Sequence, residues 1–336
     1  MRRLAVAGVL LCFTVVVLGA YVRLTAAGLG CPDWPGCYGH LIPAGAAQGA
    51  AGAAAYPGRP LEPGKAWREM IHRYAAGTLA LIIVAIAAAA VATRSLRVAS
   101  LPLALALLAT VIVQAVLGML TVTWQLKPLA VTLHLLFGMT TLALLSWLVL
   151  SLRASPWSDS ARGPTLDARR GGASPLAAAR RLALLALALL AAQIALGGWT
   201  SSNYAALACP DLPKCHGRWW PPADFGNAFV LWRGLNIDYE GGVLENPART
   251  AIHLTHRLGA VAASAASALA AVFVLRRRGL AAAKPRAWMV LAALGLQLAI
   301  GASMVLRAFP LWLATAHTAG AALLLLALLA LLRSLR

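Results

Sequence analysis

Charge is what this sequence lacks. Lys, Arg, Asp and Glu make up 12% of its 336 residues, against about 25% in an ordinary soluble domain. Acidic residues are the scarcest, with only 10 Asp and Glu along the chain. With 61% hydrophobic residues gathered in long blocks, this shortage excludes a soluble domain and points to membrane spans. The formal net charge is +19, but the basic residues lie in short loops between apolar blocks. That is the pattern of membrane orientation, so nucleic acid is not expected as a partner. No small-residue cleavage site follows the first block, which argues against a removed signal peptide behind Arg2 and Arg3. Cysteines are few: Cys12 sits in an apolar block and reads as an inert buried thiol. The other four form two pairs of equal spacing, Cys31/Cys37 and Cys209/Cys215, as in an oxidising compartment.

Eight blocks have the length of a span, about 20 residues. They lie near Leu4–Tyr21, Glu69–Ala92, Ala99–Val122, Leu129–Leu152, Ala178–Trp199, Thr250–Leu275, Pro285–Leu306 and Pro310–Leu332. Irregular backbone cannot face lipid, so each is expected to be a helix. The alternate loops and both termini carry most of the Arg residues, with Asp159 and Asp167 as their only acids. This bias puts both termini in the cytoplasm and turns the long loops Val22–Arg68 and Thr200–Arg249 outward.

The two halves repeat. Cys31-Pro-Asp-Trp-Pro-Gly-Cys37 matches Cys209-Pro-Asp-Leu-Pro-Lys-Cys215, Ile71-His-Arg73 matches Thr255-His-Arg257, Gln114-Ala-Val-Leu-Gly118 matches Gln297-Leu-Ala-Ile-Gly301, and His134 matches His317. The matches recur after 178, 184, 183 and 183 residues. Four helices per copy leave both copies in one orientation. The expected fold is therefore an all-α membrane protein of eight transmembrane helices. They form two tandem four-helix bundles, related by a pseudo-two-fold axis along the membrane normal. The expected divisions are 1–152, a cytoplasmic linker 153–177, and 178–336.

His72, His134, His256 and His317 fall inside the spans, where ionisable residues are costly and usually functional. Each pair lies at similar depth, about five residues from the starts of two helices of one bundle. Two opposed imidazoles so placed can grip a haem iron from both faces. Small residues follow each histidine by one turn: Ala75/Ala76, Gly138, Gly259/Ala260 and Gly320/Ala321. They offer room for a flat macrocycle, although small residues also serve helix packing. Arg73 and Arg257 read either as partners of haem propionates or as interfacial anchors. Glu69, one turn before His72, is a candidate proton acceptor or stabiliser of positive charge; the alternative is a first-turn acid complementing the helix dipole. Its counterpart in the second half is His253. The cysteine pairs suit either structural disulfides or redox-active dithiols. A zinc site at Cys215 and His216 lacks a four-ligand set, and His40 and His216 otherwise read as loop residues.

Together, Gly19-Ala-Tyr-Val-Arg-Leu-Thr25, Gly28-Leu-Gly-Cys-Pro-Asp-Trp-Pro-Gly-Cys37, Glu69-Met-Ile-His-Arg73, the second cysteine loop and Thr255-His-Arg257 resemble the haem A synthase family over nearly the whole chain. The resemblance implies an oxidoreductase that converts haem O to haem A by successive hydroxylations of a ring methyl to a formyl group, for terminal oxidases. It implies haem b as cofactor on His256 and His317, with Arg257 nearby. It implies substrate haem O at His72 and His134, with Arg73, and Glu69 as the catalytic acid. It implies disulfides Cys31–Cys37 and Cys209–Cys215, and a place in the cytoplasmic (inner) membrane. The partners it suggests are haem O synthase (a farnesyltransferase), oxidase assembly factors and a membrane electron acceptor, and it is compatible with a homo-oligomer.

Overall fold

Helices are what an apolar chain forms where only its own backbone can satisfy its N–H and C=O groups. The computed structural model describes residues 1–43, 56, 58–152 and 174–336. Among these, eight helices are long and apolar enough to cross a membrane. They are α1 (Arg2–Leu24), α2 (Pro63–Ala92), α3 (Arg94–Thr123), α4 (Pro128–Ser151), α5 (Pro175–Ser202), α6 (Asn246–Arg276), α7 (Lys284–Leu306) and α8 (Leu311–Ser334). No strand occurs among the described residues. The chain is thus a multi-pass, all-helical membrane protein, with a helix at every expected block. Nearly all of the linker expected at 153–177 lies outside the described residues.

Two of the histidine-bearing helices begin well before the point that hydropathy suggests. α2 starts at Pro63 and α6 at Asn246, where the sequence predicts Glu69 and Thr250. In both a proline opens the first turn, with φ already set for a helix and no N–H to leave unpaired. These added turns are polar, and a hydropathy criterion therefore misses them. His72 and His256 lie correspondingly further along their helices than the sequence suggests.

α1, α2, α3 and α4 pack in a closed ring of neighbours, and α5, α6, α7 and α8 form another. The rings meet where α4 touches α5 and α8, and where α1 touches α8. One continuous core built mainly of Ala, Leu, Ile and Val runs through both, including Ala5, Ile86, Leu145, Ala186, Ala270 and Leu328. Small residues let the helices approach, and dispersion holds them, because lipid gives no hydrophobic driving force between helices. Outward positions are equally apolar: Leu10, Leu81 and Val261 are 65%, 71% and 69% exposed, as helices facing lipid on one side and protein on the other require.

α1, α3, α5 and α7 end in the same backbone turn. Ala27, Leu126, Ala205 and Phe309 donate N–H to the carbonyls of Val22, Thr121, Thr200 and Met304, at 2.8–3.0 Å. Residues at positive φ make the turn: Ala26, Gln125 and Leu126, Tyr204, and Ala308 and Phe309. This six-to-one closure satisfies carbonyls that the helix end would leave free.

On this same face the loops join the halves. Arg23 donates to the Ser201 carbonyl at 2.8 Å and lies 4.1 Å from the Tyr204 ring centre. Arg59 pairs with Asp238 and Glu240 at 2.7 and 2.9 Å. Lys127 is covered. Its ammonium lies 3.1 Å from the Trp232 ring centre and donates to the Gly234 carbonyl.

Candidate active site

Each of the four span histidines lies over a glycine of the preceding helix. His72 on α2 faces Gly19 of α1, His134 on α4 faces Gly118 of α3, His256 on α6 faces Gly197 of α5, and His317 on α8 faces Gly301 of α7. A Cβ at these glycines would stand 3.0, 3.3, 3.3 and 3.0 Å from the histidine Cε1, tight enough to push the ring. The glycines are seats that let an imidazole lie flat against the neighbouring helix.

Within the first ring of helices, His72 and His134 come together with ring centres 6.5 Å apart and planes at 74°. The Nδ1 atoms of His72, His134 and His317 are shut off from solvent without a hydrogen-bond partner. Unsatisfied buried nitrogens cost free energy. Paired imidazoles with open coordination positions, on glycine seats in an apolar bundle, fit a planar iron macrocycle, which takes nitrogen from either face.

Glu69 is 4% exposed and opens onto the first cysteine loop. Its carboxylate accepts the Cys31 N–H at 2.8 Å and an Arg73 N–H at 2.5 Å. Arg73 also donates to the carbonyls of Asp33, Pro35 and Gly36. One guanidinium thus holds both the loop and the acid, as a planar fork of donors can. Arg257 repeats the clamp on the carbonyls of Cys209, Asp211 and Lys214. Its helix offers it His253 in place of an acid. His253 is 5% exposed, with Nδ1 3.2 Å from the Ala205 carbonyl and the ring edge-on to Phe309. The two halves thus share the clamp and differ in the group it surrounds.

The loops themselves are copies. Cys31–Cys37 and Cys209–Cys215 both stand at disulfide distance, 2.03 Å. Asp33 accepts the N–H of Tyr38 and Gly39, and Asp211 those of His216 and Gly217. The Gly217 and His216 amides hold the Asp211 carboxyl below the usual carboxylate range. His216 turns Nε2 to the Ala208 carbonyl at 2.8 Å. Cys215 and His216 are therefore committed to the loop.

A family model described as COX15-CtaA, cytochrome oxidase assembly protein, matches residues 2–329. The chain belongs to the COX15-CtaA family. Its relatives include the "Heme A synthase" of Shewanella oneidensis, 41% identical over 94% of this chain and 90% of the relative. The "Heme A synthase" of Rhizorhabdus wittichii is 30% identical over 95% of this chain and 89% of its own. That of Methylobacterium nodulans is 31% identical over 59% of this chain and 48% of its own.

Two features of this COX15-CtaA chain escape the sequence reading. The first is that Gly19 and Gly197 are histidine seats like Gly118 and Gly301. The second is a third glutamine. Gln193-Ile-Ala-Leu-Gly197 repeats the spacing of Gln114…Gly118 and Gln297…Gly301, a signal present in the sequence. Three of the small residues after the histidines lie against a glutamine. A Cβ at Gly259 or Gly320 would collide with the amide oxygen of Gln193 or Gln297, and one at Gly138 would stand 3.3 Å from the Gln114 amide nitrogen. That space holds a glutamine head.

Proposed function

We propose that this chain is a haem A synthase, which oxidises one ring methyl of haem O to a formyl group. One observation carries this reading. In a family whose relatives bear that name, the first half alone has a buried carboxylate, Glu69, on the same helix and one turn before a seated histidine. The substrate haem O lies in the first ring of helices, with His72 and His134 toward its iron. His256 and His317 would hold haem b, which would supply one-electron redox chemistry.

Each of the two oxidations of the methyl group takes one water and releases two protons and two electrons. The first gives the alcohol; the second gives the hydrate, which loses water to become the aldehyde. Glu69 accepts the protons at its carboxylate, and Arg73 and the Cys31 N–H hold that carboxylate in place between turnovers. The electrons leave to an acceptor in the membrane. His253 lacks a carboxylate's charge, which suits the second half to a resident cofactor.

The remaining architecture follows the sequence repeat. The two closed rings of helices are tandem four-helix bundles related by a pseudo-two-fold axis along the membrane normal, divided at residues 153–177. Both termini are cytoplasmic and the cysteine loops face the outside of the inner membrane. Haem O synthase is the expected donor of substrate, and oxidase assembly factors receive the product.

Substituting Glu69→Gln in the full chain tests the assignment. Pigment extraction should find haem O in place of haem A, with the visible spectrum of the second-half haem unchanged. Continued haem A production by this variant would overturn the role of Glu69. Formyl oxygen that carries no label from isotopically labelled water would overturn the oxygen source.

A further inference from the structure

Both cysteine loops end in an exposed apolar pair. Mutual backbone hydrogen bonds close each loop, between Cys37 and His40 at 2.7 and 3.1 Å and between Cys215 and Arg218 at 2.9 and 3.1 Å. The next two residues are Leu41 and Ile42 in the first loop and, 178 positions on, Trp219 and Trp220 in the second. They are 73%, 57%, 69% and 65% exposed. The repeat thus keeps a large apolar pair uncovered at one place while changing its residues. Leaving such side chains in water forgoes the free energy of burying them, and a pair uncovered in both copies marks a surface that something apolar covers.

The first loop shows where its pair lies. The Tyr74 hydroxyl donates to the Leu41 carbonyl at 2.5 Å. Tyr74 belongs to the outward stripe of α2, between Ile71 and Leu81, which are 48% and 71% exposed. It lies inside the apolar run of that helix, about 7 Å along the axis from Glu69. Leu41 is therefore beside the surface that α2 turns to lipid. A carbonyl in water needs no side-chain partner, whereas one at the lipid boundary does. Tyrosine, with a polar tip on an apolar ring, suits that boundary. In the second half Leu258 replaces Tyr74, on an outward stripe of α6 that continues to Val261. There the exposed pair brings its own polar tips, two indole N–H groups. The Lys214 ammonium lies 5.9 Å from the Trp219 ring centre. Lys214 and Arg218 are exposed and form no ion pair among the described residues, which leaves both cations for headgroup phosphates.

We infer that the tips of both cysteine loops are seated in the bilayer leaflet on the loop side, with Leu41, Ile42, Trp219 and Trp220 at the boundary of acyl chains and headgroups. Continuity with the lipid-facing stripe of α2 selects lipid as the occupant. The inference rests on the membrane spans and is independent of what the histidines bind. It has a consequence for the first half: lipid braces the loop whose Cys31 N–H holds Glu69.

The test is tryptophan fluorescence of the purified full chain in nanodiscs of phosphatidylcholine. One set of discs carries bromine near the headgroup end of the acyl chains, and iodide in the buffer is the aqueous quencher. The emission lost in the double variant Trp219→Phe, Trp220→Phe reports the second tip. The emission gained in the double variant Leu41→Trp, Ile42→Trp reports the first. All four changes keep an apolar residue in place, so the fold is retained. Each of these emissions should lose most of its intensity in brominated discs and little to iodide. Quenching by iodide that equals or exceeds quenching by bromine would put the tips in water and overturn the inference. Emission shielded from both quenchers would show that protein covers the tips, a second copy of the chain included, and would overturn it equally. A lipid response from one loop alone overturns it for the other.

Discussion

Arg73 is the residue on which the first site depends most. Its side chain is 13% exposed and that of Glu69 6%, so solvent screens their pair little. Removing one partner of a buried pair leaves an uncompensated charge, at a cost of about 3–5 kcal/mol. Arg73→Ala also frees the carbonyls of Asp33, Pro35 and Gly36. The variant is expected to unfold at clearly lower temperature in detergent and to make little haem A. Arg73→Lys keeps the charge but lacks the fork, and should recover only a minor part of either property. Equal thermal stability of wild type and Arg73→Ala would refute the clamp. Arg257 offers the contrast: its hydrogen bonds go to loop carbonyls and not to a buried carboxylate, so Arg257→Ala should cost less than Arg73→Ala.

At the scale of elements, the two cysteine loops share a backbone and differ in what they touch. Closing so short a loop lowers unfolded-chain entropy by an amount worth about 2 kcal/mol. Replacing both Cys209 and Cys215 by Ser should lower stability by about that much, read from chemical denaturation in detergent. It should leave haem A formation largely intact. The matching change at Cys31 and Cys37 should cost similar stability and also reduce haem A formation, because the Cys31 N–H is bonded to Glu69. Equal activity of the two double variants would show that the first loop does not position the acid.

At the scale of the molecule, the loop-side contacts between halves are of unequal worth. Arg59 bridges to Asp238 and Glu240, with Asp238 51% exposed, and exposed ion pairs contribute only about 0–1 kcal/mol. Lys127 is covered, lies on the Trp232 ring and donates to the Gly234 carbonyl. Its desolvated cation–π contact alone is worth about 2 kcal/mol. Lys127→Ala should therefore lower the unfolding temperature more than Arg59→Ala, and the reverse order would contradict this ranking. The continuous core beneath, through α1, α4, α5 and α8, carries most of the cohesion between the rings.

The sequence alone determined the number of spans, the four histidines, the acid on one side of the repeat and the family. These were legible because each is local: a span needs about 20 apolar residues in succession, and a charged or titratable residue inside one stands out. It did not determine where α2 and α6 begin, because their first turns are polar and look like loop. Nor did it reveal what the small residues are for. Gly138, Gly259 and Gly320 read as space for a macrocycle, and only the packing of α3 on α4, α5 on α6 and α7 on α8 puts a glutamine head in that space. The role of Arg73 was equally out of reach. Its partners are backbone carbonyls 37–40 residues away, and carbonyls are alike in every sequence. What tertiary structure decided was which side chain fills each gap. That depends on distances between helices far apart in the chain, which no periodicity within one helix can encode.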